Sequence, residues 1–253
     1  MAFSFVNNTM FSLLHESVHG IAHPNRRVNE ALGTFAAAFF PTSLSLQRVF
    51  HLAHHASNRT IDEQFDYIRP FDRPLLKRAQ WYAILTGLYW IFVPAGGLAY
   101  LVWPSLFSRL RGQNAVATQT GASSMFAHVD EAPRTRIRLE LLFAIAVQTA
   151  LFAALDLTAT GWLVCYAAFA VNWSSLQYTD HAFSKLDVRD GAWNLRVNPL
   201  VRALFLNYHH HLAHHRHPQV PWIHLGDYVD PSEERPSFWR IYWQMWRGPR
   251  PLP

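Results

Sequence analysis

Eight histidines fall into three groups at helical spacing, and any fold of this chain has to account for them together. His15 and His19 lie four apart at the end of an apolar stretch, so both imidazoles project from one helix face. His51-Leu52-Ala53-His54-His55 aligns His51 with His54 and His55 by i, i+3 and i, i+4, and His211-Leu212-Ala213-His214-His215 repeats that arrangement. One HxxxH pair in a helix is usually coincidence. Two HxxHH groups following one are not. Eight imidazoles are too many for one four-coordinate zinc and suit two metal ions, although spacing alone does not choose among iron, zinc, copper and nickel.

The rest of the composition narrows the surroundings. Half of the 253 residues are apolar and only 15% are Asp, Glu, Lys or Arg, below the roughly 25% of soluble domains. The net charge of +5 is spread out, without the basic run that tracks nucleic acid, so no nucleic-acid partner is expected. Cys165 is the only cysteine, which excludes intrachain disulfides, thiolate zinc sites and a bound iron–sulfur cluster. Met1–Leu14 has neither a basic n-region nor a cleavage site and does not read as a signal peptide.

Membrane-length apolar runs separate the histidine groups. Ala31–Leu46, interrupted by Pro41, is short and suits an interfacial or re-entrant segment. Trp81–Trp103 is long enough to span but contains Pro94-Ala95-Gly96-Gly97. Leu141–Leu155 and Leu157–Tyr178 read as a helical hairpin across the bilayer. Histidines that share a site must lie on one side, so an even number of crossings is needed between His55 and His211. Arg109, Arg111, Arg134, Arg136 and Arg138 in the loop Pro104–Arg138 put that loop in the cytoplasm. Trp81–Trp103 is therefore expected to enter and leave on one face, turning at the Pro-Gly-Gly break; the alternative is that it spans once and one arm of the later hairpin does not. After Pro231, Trp239, Tyr242, Trp243 and Trp246 alternate with Arg240 and Arg247, as in an amphipathic helix at headgroup level.

The order HxxxH, HxxHH, HxxHH, with a membrane hairpin between the second and third groups and Asn207-Tyr208 shortly before the third, resembles the membrane fatty acid desaturase superfamily. The resemblance covers nearly the whole chain. It implies a single all-α domain over 1–253, an integral membrane helical bundle with a cytoplasmic histidine-rich di-iron cap. It implies two iron ions, O₂ as co-substrate, a long-chain acyl or other lipid substrate, and a separate electron donor of ferredoxin or cytochrome b5 type with its reductase. No catalytic residue apart from the metal ligands is expected. The family often completes the site with a histidine after the last membrane helix, where this chain has His181, and with an amide one turn earlier, here Gln177, that can hold iron through water. Asn207 is a further candidate around the ligands. The family's usual hairpin before the first box has no counterpart in the fourteen residues preceding His15.

Ligating imidazoles generally donate their second N–H to a carboxylate or carbonyl. Glu16, Asp62, Asp66, Asp180, Asp187 and Asp190 lie near a box or His181, with Asp180 the best placed. His210 replaces His211 if the register slips by one. His23 could extend the first face, His217 is structural or beside the site, and His128 and His224 are expected at the surface. The leading expectation is an acyl-chain desaturase. The alternative is a hydroxylase or ketolase, because His214-His215-Arg216-His217-Pro218 followed by Val220-Pro221-Trp222 is similar to carotenoid ketolases, and its HHxHP part to alkane hydroxylases. A non-catalytic membrane metal-binding protein is the remote rival. Transporters place ionisable ligands inside the spans, whereas these boxes flank the apolar runs.

Overall fold

Helix boundaries in this computed structural model, which describes residues 1–110 and 115–252, follow from local capping chemistry. Helix α1 (Ala2–His19) stops at Gly20, whose φ of 79° returns the chain and lets Ile21 N–H donate to Glu16 O at 3.0 Å. Helix α2 (Arg26–Phe39) starts under the Asn25 side chain, which accepts from Arg27 and Val28 N–H. Helix α3 (Leu44–Ser57) starts under Ser43 Oγ, which accepts from Leu46 N–H. The expected segment Ala31–Leu46 is therefore not one element. Pro41 sits between α2 and α3, where it lacks the N–H that a continuous helix would need.

Beyond α3 a tight loop carries Tyr67–Ile68 (β1), which pairs in parallel with Arg250–Pro251 (β2) near the chain's end. Helix α4 (Pro74–Leu85), a 3-10 turn at Leu88–Ile91 and α5 (Phe92–Val102) follow, with an 88° bend between the two arms. The bend lies at Thr86-Gly87 and not at the expected Pro94–Gly97. Gly87 has φ of 80°, whereas Pro94 occupies the first turn of α5, where no intrahelical donor is lost. Short helices α6 (Ser105–Leu110), α7 (Ala115–Thr120) and α8 (Ala122–Met125) precede α9 (Arg134–Ala154) and α10 (Ala159–Thr179). Arg134, Arg136 and Arg138 thus belong to the first turns of α9, not to a loop, and Arg111 lies outside the described residues. Helices α11 (Pro199–Leu204), α12 (His211–Arg216) and α13 (Phe238–Met245) complete the chain.

The fold is mainly helical, as expected. Among the described residues only α9 is long and apolar enough by itself to cross a membrane, and the bent pair α4/α5 qualifies only when its arms are taken together. Helix α10 is equally long but carries Asn172, Ser174, Ser175 and Gln177 near its C-terminal end. The outer faces of α5, α9 and α10 are apolar, with Phe92, Leu98, Leu142, Phe143, Leu163 and Val164 exposed. Inward, Phe11, Phe40, Phe169, Trp173 and Tyr208 form an aromatic core joining α1, the α2–α3 turn, α10 and the approach to α12.

Three polar devices fix the elements that carry histidines. Buried Glu140 on α9 accepts from Ser43 Oγ (2.6 Å), Ser45 N–H (2.8 Å) and Ser45 Oγ (3.0 Å), which places a carboxylate at the N-terminus of α3. Arg48 on α3 donates to Ser17 O and Val18 O, both at 3.0 Å, and pairs with Glu30 of α2, so it brackets the end of α1. Arg59, fully buried just after α3, makes a two-pronged ion pair with Asp66, while Asp66 also accepts Phe183 N–H two residues past His181.

A Cβ on Gly87 would meet the backbone of Ala170 and Val171 at 2.6 Å, whereas one on Gly20 would meet nothing within 4 Å. Gly20→Ala should therefore cost only the left-handed backbone penalty of about 1–2 kcal/mol. Gly87→Ala adds a backbone clash and should lower the melting temperature clearly further, read in detergent by tryptophan fluorescence. Equal losses would contradict the close α4–α10 approach.

Candidate metal centre

Helix geometry delivers the first imidazoles. His15 and His19 point from the last turns of α1, and α3 crosses so that His51 and His55 face them. Helix α12 lies across both and contributes His211, His214 and His215. His181 enters from the turn after α10. All nine candidate ligands come together, in two groups whose ligand atoms lie within 4.8 Å of one another: His15, His19, His51, His55 and His214, and His54, His181, His211 and His215.

The Nε2 atoms crowd together. His19–His51 is 2.8 Å, His51–His55 and His55–His214 are 3.0 Å, and His181–His211 is 2.9 Å. A ring nitrogen carries either one proton or one lone pair, so His51 and His55, each facing two others, cannot satisfy both neighbours by hydrogen bonding. Imidazole–metal bonds of about 2.1 Å at right angles separate the nitrogens by about 3.0 Å. That is the spacing found. His15 Nε2 and His215 Nε2 are buried with no hydrogen-bond partner. The residues present therefore fit a pair of metal ions.

Electrostatics favours the ligand form. Burial, reinforced by repulsion from neighbouring imidazoles, holds His15, His51, His181, His211, His214 and His215 well below the usual histidine range and His19 at about 4. Neutral imidazole is what a metal requires. His181 Nδ1–H donates to Gly191 O at 2.9 Å, which leaves Nε2 free to ligate. His54 Nδ1 meets Glu63 Oε2 at 2.6 Å, a carboxylate–histidine pair that fixes the tautomer in the same sense.

Glu63 was not among the sequence candidates. It stands nine residues beyond His54, across a non-helical turn, so no periodicity points to it. Asp180 is fully buried with neither carboxyl oxygen hydrogen-bonded, and burial raises its carboxyl well above the usual range. Glu16 is buried, pushed up to about 7 by burial, and accepts Trp222 N–H at 3.0 Å with its other oxygen 3.8 Å from His15. The remaining carboxylates face elsewhere: Asp62 to Ser123, Asp66 to Arg59, Asp190 to Arg216, and Asp187 to the backbone of its own turn.

Gln177 Oε1 accepts Tyr208 O–H at 3.0 Å and its Nε2 is buried without a partner. Tyr208 packs its ring on His15 and His211, at 5.0 and 4.9 Å. Asn207 does something different. At φ of 54° it donates to Trp222 O and accepts from Arg202, shaping the turn before α12 without hydrogen-bonding a candidate ligand. His209 and His210 are buried, pack against each other with tilted rings and belong to neither group, whereas His211 lies in the second. His23 accepts Asn25 N–H, His217 packs on Tyr228, and His128 and His224 are exposed.

A cavity of about 380 Å³ opens beside the second group. His51, His54, His181, His211, Glu63 and Gln177 line it, and its other walls are Phe40, Phe50, Phe92, Phe107, Phe126, Trp173 and the bare backbone of Gly96 and Gly97. The family model described as fatty acid desaturase matches residues 1–246. No curated protein and no solved structure matches.

Glu63→Gln should weaken metal binding about 10–100-fold, read by anaerobic Fe(II) titration of the metal-free protein, while Asp62→Asn should leave it unchanged. A second expectation concerns pH. Burial holds the folded imidazoles below the usual range, His19 at about 4, whereas the unfolded chain protonates near 6.5. Below that value the unfolded state binds more protons, so the metal-free protein should hold its melting temperature above pH 6.5 and lose it steadily as the pH falls toward 4. A flat profile would show that the imidazoles are solvated.

Proposed function

Because the chain belongs to the fatty acid desaturase family, we propose that it is a membrane-embedded, oxygen-dependent di-iron oxidoreductase that introduces a double bond into the acyl chain of a lipid. The observation that carries this reading is the cavity, which runs from the four-imidazole group into a wall of aromatic side chains and glycine backbone. An unfunctionalised alkyl chain is what such a wall accommodates, since it offers apolar area and few polar groups.

His15, His19, His51, His55 and His214 would hold one iron, and His54, His181, His211 and His215 the other. Iron bound there supplies the O₂-dependent oxidation of an unactivated C–H bond. The protein's own part is positional. His54, His181 and His211 border the cavity together with His51 of the first group, so the reacting carbons lie chiefly against the second group. Glu63 holds His54 in register, Gly191 O holds His181, and Tyr208 wedges His211 and His15. Phe40, Trp173 and Phe50 keep water from the reacting carbons. Desaturation removes two hydrogens from adjacent carbons. Together with two electrons and two protons from outside the chain, these reduce one O₂ to two waters. A ferredoxin or cytochrome b5 with its reductase is the class of donor this requires.

For the membrane we propose that α9 and α10 cross as a hairpin while α5 enters from the same side, with the metal centre at the cytoplasmic end. The apolar outer faces of these helices support that reading. The second chemistry open to the same site is hydroxylation or ketolation, in which oxygen is retained in the product. It is favoured by the unpartnered Gln177 Nε2 and the Glu63 carboxylate on the cavity wall, which suit a product carrying a polar group.

Expression in a lipid-producing host followed by lipid mass spectrometry separates the two, by loss of two hydrogens or gain of one oxygen. His54→Ala and His214→Ala, one from each group, should each abolish the product and lower iron per chain. Turnover unchanged in either variant would break the assignment.

A further inference from the structure

We propose that α4 and α13 together form a cationic, tryptophan-faced platform that lies in the plane of the membrane and docks on anionic lipid headgroups. The inference rests on the membrane reading above but concerns a surface which that reading leaves uncovered.

Helix α4 departs from the 3-10 turn and α5 at 88°, so if α5 points into the bilayer, α4 runs along its surface. Helix α13 is fastened beside it. Trp81 Nε1–H donates to Met245 O at 2.8 Å, Tyr82 O–H donates to Trp246 O at 3.3 Å, and Ile241 and Met245 pack with Trp81 and Leu85. The same cluster includes Tyr178, so the platform sits at the level where α10 ends and His181 begins.

Trp239 and Trp243 are 61% and 62% exposed on successive turns of α13, and Trp246 is 40% exposed. Leu75 on α4 is 83% exposed and Tyr82 is 36% exposed beside Trp246. A water-facing surface gains nothing from three indoles in the open, whereas the headgroup region takes their apolar bodies and hydrogen-bonds their N–H. Arg78 and Arg247 are exposed, and neither has a carboxylate within ion-pair distance among the described residues. Neither helix contains an Asp or Glu. This charge complements an anionic leaflet and not a basic protein partner.

The test uses the full chain in lipid nanodiscs containing phosphatidylglycerol, in a Cys165→Ser background that removes the only native thiol. A fluorophore is placed by Trp243→Cys on the platform or by Ala146→Cys midway along α9. Lipids carrying a nitroxide at the headgroup or deep in the acyl chain quench by depth, and iodide quenches from water. The platform label should be quenched at least about twofold more by the headgroup nitroxide than by iodide, and Arg78→Gln with Arg247→Gln should reduce that preference. The α9 label should answer to the deep nitroxide. Iodide quenching at 243 with deep quenching retained at 146 would overturn the platform and leave the span standing. Protection at 243 from all quenchers would overturn it in favour of a protein cover. Iodide quenching at both positions would overturn the membrane reading and the platform together.

Discussion

Nine imidazoles in two contiguous groups are the constraint on which the rest of this structure depends. Burial holds His15, His19, His51, His55, His181, His211, His214 and His215 below the usual histidine range, and the Nε2 series His19–His51–His55–His214 has more close contacts than its protons can bridge. Left alone, such an arrangement costs free energy at every unpaired nitrogen. A cation in each group turns the same crowding into coordination. The scaffold therefore has to hold four separated pieces of chain against their own preference to separate.

It does so with charged groups placed behind the ligands. Glu140 anchors the start of α3, Arg48 draws the end of α1 onto α3, and Arg59 with Asp66 ties the exit of α3 to the turn carrying His181. Removing one partner of such a buried network leaves the other uncompensated. Glu30 links two of these devices, since it meets both Arg48 and Arg136, and Arg136 in turn pairs with Glu140. The histidines of α1 and α3 are thus held by one continuous string of ion pairs running along α2, α3 and α9.

Helical periodicity made the box histidines readable, because i, i+3 and i+4 spacing fixes a shared face whatever the tertiary fold. His181 and Gln177 were legible only through family resemblance, as nothing in the spacing of Gln177-Tyr178-Thr179-Asp180-His181 joins them to the boxes. Glu63 was legible by neither route: its approach to His54 depends on how the turn after Asn58 folds back, which Arg59 at positive φ helps determine. The misplaced bend has a similar origin. Pro94 and the two glycines looked like a break, but a proline in a first helical turn is harmless, and the real corner is the single Gly87 pressed against α10. Asn207 shows the same limit, since its side chain is used up in holding the backbone that presents α12.

The five-and-four division of the imidazoles also has an order in time. Four members of the first group, His15, His19, His51 and His55, precede α9 and α10 in the chain, and only His214 follows them. The second group has one early member, His54, and must wait for His181, His211 and His215. A cation can thus find most of its ligands in the first group before α9 and α10 have been made. The second group, which gives the cavity three of its four lining imidazoles, closes last, once α9, α10 and α12 have been made.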